Sequence, residues 1–342
     1  MEGSDTAHSI GSVRSTLAMP NKVNVLVFVH GMTPDVVPSD PRSHGGTYDK
    51  FWQALQAEKP ALTNLFPNGP ILVEWGHQLS PTENPVREDH RITEVERFVN
   101  EQVAYHNIKD HPGPNNVLTN DWGIPVVRQL VTGIREGVIS FGLTDVIYYC
   151  SADGEIYVRA QVYNQVLAAM QPYVTEPNVR IHLFGHSLGV TIVHDFLFGL
   201  FKKGHMSDFV EKYQGGAWAS QEFQKWRDKA QNGELTLGGL ACAASQLPLM
   251  VIRKQAMIDK LFNHAGLDPA DIGVVSTGIQ WKFFYDIDDL LGFASRNLYS
   301  PNNAIMDIQV DSGDQPQTAH VGYWENNVVI RETAKLFYDY AI

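Results

Sequence analysis

The chain has 342 residues, with 38 acidic against 26 basic side chains for a formal charge of −12, and 44% of its residues are hydrophobic. That apolar share supports a buried core and excludes wholesale disorder, while the negative balance repels phosphate backbones and argues against a nucleic-acid-binding protein. Length alone fits two ordinary domains or one large α/β unit.

Residues Met1 to Pro20 are polar and lack an apolar targeting core, so 1–20 reads as a flexible tail. No run approaches the ~18 apolar residues that a membrane span requires, and the expectation is a cytoplasmic protein without stable membrane insertion. Val23 to Val29 (VNVLVFV) is a continuous apolar run of strand length, as expected for a strand buried on both faces. It runs directly into His30-Gly31-Met32. Tyr48 to Gln56 carries Phe51 and Leu55 at helical spacing, and Ile71 to Trp75 reads as a second strand.

The 80–120 stretch turns polar, with Ile92, Val95, Val99 and Val103 marking one amphipathic helix inside it. A further apolar stripe covers Ile124 to Ile139. Asp145 to Cys150 reads as a third strand closed by an Asp153-Gly154 turn, followed by a helix from Val158 to Met170. Val179 to Phe184 is another strand and Val190 to Phe201 another helix. After a second polar stretch at 204–234, strands are expected at Leu237–Ala244, Gln280–Tyr285 and Ala304–Val310, then a last helix through Val329, Ala334 and Phe337. Alternating strands and helices predict an α/β fold: a mostly parallel sheet with helices on both faces. The domain expectation is one unit over 21–342, with cap-like insertions at 80–120 and 204–234. Cys150 and Cys242 sit in apolar runs without CxxC spacing and read as two buried thiols rather than a disulfide.

Gly185-His186-Ser187-Leu188-Gly189 matches G-x-S-x-G and lies between a predicted strand and a predicted helix. Flanking glycines relieve crowding in so tight a turn, and the helix N-terminus behind the serine favours developing negative charge. A serine hydroxyl needs a base to act as a nucleophile. Downstream histidines are His194, His205, His264 and His320. His194 lies two turns into the following helix and cannot easily reach back, and His205 and His264 fall in peripheral segments. His320 follows the last strand after a loop from Asp311 to Ala319 and is the best base. The acid should follow the strand WKFFYD, where Asp286, Asp288 and Asp289 crowd together, and local reasoning does not separate them. Two backbone N–H donors are also needed, and Leu188 and Met32 stand in the expected places, with Gly31 letting the backbone bend.

With those residues in view, FVHGM, DVIYY, FGHSLG followed by HDFL, and the late D-x-x-D and H-x-x-Y-W resemble the lipase and esterase branch of the α/β-hydrolase superfamily. The resemblance implies an α/β-hydrolase fold and a serine ester hydrolase working through an acyl-enzyme. It selects Asp289, because Asp289-Leu290-Leu291-Gly292 best fits the family's acid-bearing segment, with leucine where that segment has proline. Under it, Ala244 to Leu249 resembles a pocket-lining segment, and His30, Gly31, His186 and Leu247 are expected at the substrate. Expected partners are small-molecule or lipid esters, with no cofactor. The 13 histidines include no HExxH and no paired His/Cys spacing, so no metal is expected. Acyl transfer to another acceptor, thioester hydrolysis, or a non-catalytic interaction role on the same scaffold are the alternatives.

Overall fold

A computed structural model describes residues 22–31, 43–75, 149–150, 152–204, 216–251, 259, 263 and 266–342. The apolar runs form β1 (Val23–Val29), β2 (Pro70–Val73), β3 (Val179–His186), β4 (Leu235–Ala243), β5 (Trp281–Tyr285) and β6 (Ile305–Gln309). They lie side by side as β2-β1-β3-β4-β5-β6, each pair parallel. In β1, Val25, Val27 and Val29 join one core cluster while Leu26 and Phe28 join the other. This two-sided burial is why the run is apolar throughout rather than alternating.

The major helices are α1 (Ser43–Glu58), α2 (Ala152–Met170), α3 (Leu188–Phe201), α4 (Gly216–Gln231) and α5 (Asn327–Ala341). Helices α2, α3 and α4 cover one face through Tyr163, Val166, Phe196, Leu200, Phe223 and Trp226. Phe51 and Leu55 of α1 and Val329, Leu336 and Phe337 of α5 cover the other. The chain is thus an α/β protein with a parallel sheet between two helical layers. Among the described residues no helix is long and apolar enough to cross a membrane.

Several expectations need correction. Phe223 and Trp226, expected in a cap-like insertion, are buried in the main core, so the described part of 204–234 packs on the sheet layer rather than over it. Arg227 ties α4 to the end of α3: its guanidinium donates to the carbonyls of Gly199 and Leu200, and to those of Lys202 at 2.7 Å and Gly204 at 2.8 Å. Gly199 and Leu200 are in the last turn of α3, whose carbonyls have no intrahelical partner. Asp153 and Gly154 lie inside α2 instead of a turn, and Tyr149 and Cys150 are helical instead of extended. Cys150 is exposed, where a buried thiol was expected, and Cys242 is buried in β4. The expected elements at 80–120, 124–139 and 145–148 lie outside the described residues.

One buried polar group marks the sheet interior. The ring of His182 on β3 fills the space over Gly238 of β4, where an added Cβ would meet its Cε1 at 2.2 Å. Phe66 and Phe337 meet that ring edge-on. Burial, reinforced by the Arg180 charge, pushes the imidazole down to about 3.

Candidate active site

β1 lies between β2 and β3, so the strand order reverses there, the place where an open parallel sheet brings the loops from its C-terminal strand ends together. The loops leaving β1 and β3 meet there, with Val29 beside Gly185 in register. Ser187 caps α3 with φ 54° and ψ −127°, a backbone conformation that costs a non-glycine residue about 1–3 kcal/mol. Its N–H donates to Ala243 at 2.9 Å and its carbonyl accepts from Val190 at 3.0 Å, which hold the turn. Close approach explains two glycines: a Cβ on Gly31 would lie 2.3 Å from the Ser187 Cβ, and one on Gly189 would lie 2.4 Å from the Val29 carbonyl. Ser187 itself is fully buried.

His320 sits on a short helix, Pro316–Val321, rather than directly after a loop. Its Nε2 is 2.8 Å from Ser187 Oγ and its Nδ1 is 2.9 Å from Asp289 Oδ1. The carboxylate can only accept, so the ring proton belongs on Nδ1 and Nε2 is left to accept from the serine hydroxyl. Ser187, His320 and Asp289 are therefore brought into one hydrogen-bonded line.

The three aspartates separate by what they touch. Asp288 is exposed. Asp286 is buried but accepts from the N–H and hydroxyl of Ser312 and from the Asp288 N–H, so its oxygens hold the loop. Burial raises its pKa, yet those bonds outweigh it and the carboxyl lies below its ordinary value. Asp289 also accepts from the Leu291 N–H at 2.9 Å and the Tyr323 hydroxyl at 3.0 Å. Burial again raises its pKa, but the His320 bond and charge and these two donors overcome it, keeping Asp289 ionised below the usual carboxylate range. Tyr323 also accepts from the Asp286 N–H at 2.8 Å, and burial with the Asp289 charge raises its phenol, so it stays a donor.

The other expected site residues have mixed placements. His186 Nε2 donates to the His320 carbonyl at 2.7 Å, so it steadies the histidine's backbone. His30 is buried against Trp75, the rings 5.6 Å apart and 9° from parallel. Its Nε2 accepts from the Trp75 N–H, its N–H donates to Tyr48, and its carbonyl accepts from the Trp75 indole. Those contacts anchor the end of β1. Leu188 is the first residue of α3, where a backbone N–H has no intrahelical acceptor, and Leu247 is buried at the start of a Leu247–Met250 helix. Met32 lies outside the described residues.

Within the Ala244–Leu249 segment expected to line the pocket, one residue makes a contact with the nucleophile that the sequence does not foretell. Gln246 is buried, and its Nε2 donates to Ser187 Oγ at 3.0 Å. It was hidden because its approach depends on Ala244, which turns the chain at φ 53° directly after β4. Nothing in a Gln-Leu-Pro string announces that turn. Among the described residues no group of three or more His, Cys, Asp or Glu could hold a metal ion.

The site and sheet together define an α/β protein with a Ser-His-Asp hydrogen-bonded line at the C-terminal edge of its parallel strands. No family model matches the chain, and neither a curated protein nor a solved structure matches it.

Proposed function

We propose that this protein is a serine ester hydrolase of the α/β-hydrolase fold, with Ser187 as nucleophile, His320 as base and Asp289 as the group that orients and stabilises the imidazolium. The observation that carries the reading is the line Asp289–His320–Ser187, with separations of 2.9 and 2.8 Å. In the first half-reaction the hydroxyl proton passes to His320 Nε2, and the Oγ pair bonds to the ester carbonyl carbon. The carbonyl electrons move to the oxyanion, for which the Leu188 N–H and the Met32 N–H are the donors. Collapse expels the alcohol, which takes the proton from His320. In the second half-reaction water gives a proton to His320, its oxygen attacks the acyl carbon, and Ser187 leaves and is reprotonated.

Apolar side chains next to these residues support an ester with an apolar portion. Ile287 lies two residues before Asp289, Leu290 follows it, Val321 follows His320, and all three are exposed. The test is labelling by a fluorophosphonate, together with hydrolysis of p-nitrophenyl esters of increasing acyl length. Labelling and hydrolysis should both vanish in Ser187→Ala. Labelling that persists undiminished in that variant overturns the assignment.

A further inference from the structure

We infer that Gln246 is a further catalytic residue of this site, a donor that holds the Ser187 hydroxyl toward His320 and assists the serine oxygen as leaving group when the acyl-enzyme breaks down. The inference rests on the serine-hydrolase reading. Gln246 is buried, its Nε2 lies 3.0 Å from Ser187 Oγ, and its Oε1 has no hydrogen-bond partner among the described residues. A glutamine that served only as a strut would be expected to satisfy both ends of its amide, since an unpaired buried acceptor is costly. Here the side chain's one hydrogen bond among the described residues goes to the reacting oxygen.

The surrounding chain is built to present it. Ala244 and Ser187 are the two described non-glycine residues with positive φ, and each ends one of two adjacent parallel strands, β4 and β3. Strain of that kind persists where the surroundings over-determine it. The turn is pinned from the acid-bearing side: the Phe293 N–H donates to the Ser245 carbonyl at 2.9 Å, and the Ser295 hydroxyl donates to the Ser245 hydroxyl at 3.0 Å.

The proton inventory fixes the amide's direction. Ser187 Oγ has one proton and two lone pairs. His320 Nδ1–H is committed to Asp289, so Nε2 must receive the hydroxyl proton. The group facing Oγ from Gln246 must therefore donate, which is the Nε2 orientation. One lone pair is then held by Gln246 and the other is left for the carbonyl carbon. In deacylation the Oγ–acyl bond breaks, the electron pair returns to Oγ, and the Gln246 N–H meets that charge until His320 returns the proton.

Gln246→Met keeps the side-chain length and removes the donor. Rapid mixing with a p-nitrophenyl ester separates acylation from deacylation, and thermal melting reports the fold. Wild-type protein should be labelled by a fluorophosphonate. Gln246→Met should melt near the wild-type temperature, acylate several-fold more slowly and deacylate about 10–100-fold more slowly, the loss expected for one hydrogen bond to a charged oxygen. It should therefore release a burst of about one p-nitrophenolate per chain, with the steady-state loss falling on kcat. A variant with wild-type rates in both steps overturns this role, and so does one whose lost activity only tracks lost folded protein. A wild-type chain inert to both probe and ester overturns the hydrolase reading and this inference together.

Discussion

Gly31 and Ser187 approach so closely that a methyl group on the glycine would sit 2.3 Å from the serine Cβ and 2.9 Å from its Oγ. Two loops from adjacent parallel strands interlock at this point, and the space for that contact exists only because Gly31 has no side chain. Gly31→Ala should therefore push the serine out of line with His320. A displacement of about 1 Å can cost about 100-fold in rate. Fluorophosphonate labelling of the folded variant should fall by at least that factor. Labelling within threefold of wild type would mean the two loops are not coupled as described.

The carboxylates give a sharper discrimination. Asp289→Asn replaces the acceptor facing His320 Nδ1 and favours the wrong ring tautomer, so kcat should fall about 10⁴-fold, as such replacements do. Asp288→Asn, at an exposed position, should leave kcat within about twofold. Asp286→Asn should weaken the fold through its lost bonds to Ser312 more than it slows the chemistry. Melting temperature and kcat measured side by side on the three variants decide the matter.

His182 makes the fold acid-sensitive. Its pKa is about 3 when folded, against an ordinary 6.5, so the unfolded chain binds a proton that the folded chain refuses. The stability involved is fully present above 6.5 and is lost as pH falls from there toward 3. Each unit is worth about 1.4 kcal/mol, so going from pH 7.5 to 5 should remove about 2 kcal/mol through this residue. Urea unfolding at both pH values measures it. In His182→Gln, which has no proton to bind, the loss between them should shrink by about that amount.

Arg227 should matter to stability and not to chemistry. Arg227→Ala takes the guanidinium donor from the carbonyls of Gly199, Lys202 and Gly204 and should cost about 1–3 kcal/mol in urea unfolding. The kcat of the folded variant should be unchanged.

The central strands were legible because a parallel strand buried on both faces has no polar alternation to confuse it, as VNVLVFV illustrates. Ser187 was legible because the elbow needs a strand before it and a helix after it within a few residues. The three aspartates were not separable locally, since what distinguishes them is contact with His320, Ser312 or solvent, each determined by distant chain. The same is true of His30, whose partners Tyr48 and Trp75 come from elsewhere. Asp153-Gly154 carries a turn composition but lies in a helix, where packing along α2 overrides local preference. The 204–234 stretch reads as a cap-like insertion because it is mostly polar, yet Phe223 and Trp226 on one side of α4 suffice to seat it.

The burial of Ser187 has a kinetic meaning. A hydroxyl without exposed surface cannot be struck by a diffusing molecule, so encounter and reaction are separated by a motion that uncovers it. Labelling should then level off as probe concentration rises, at a ceiling set by the protein and shared by probes of different intrinsic reactivity. Stopped-flow labelling with two fluorophosphonates of unequal leaving groups would reveal that common plateau, and two rates that climb in proportion to concentration without converging would show that no such clock runs before the chemistry.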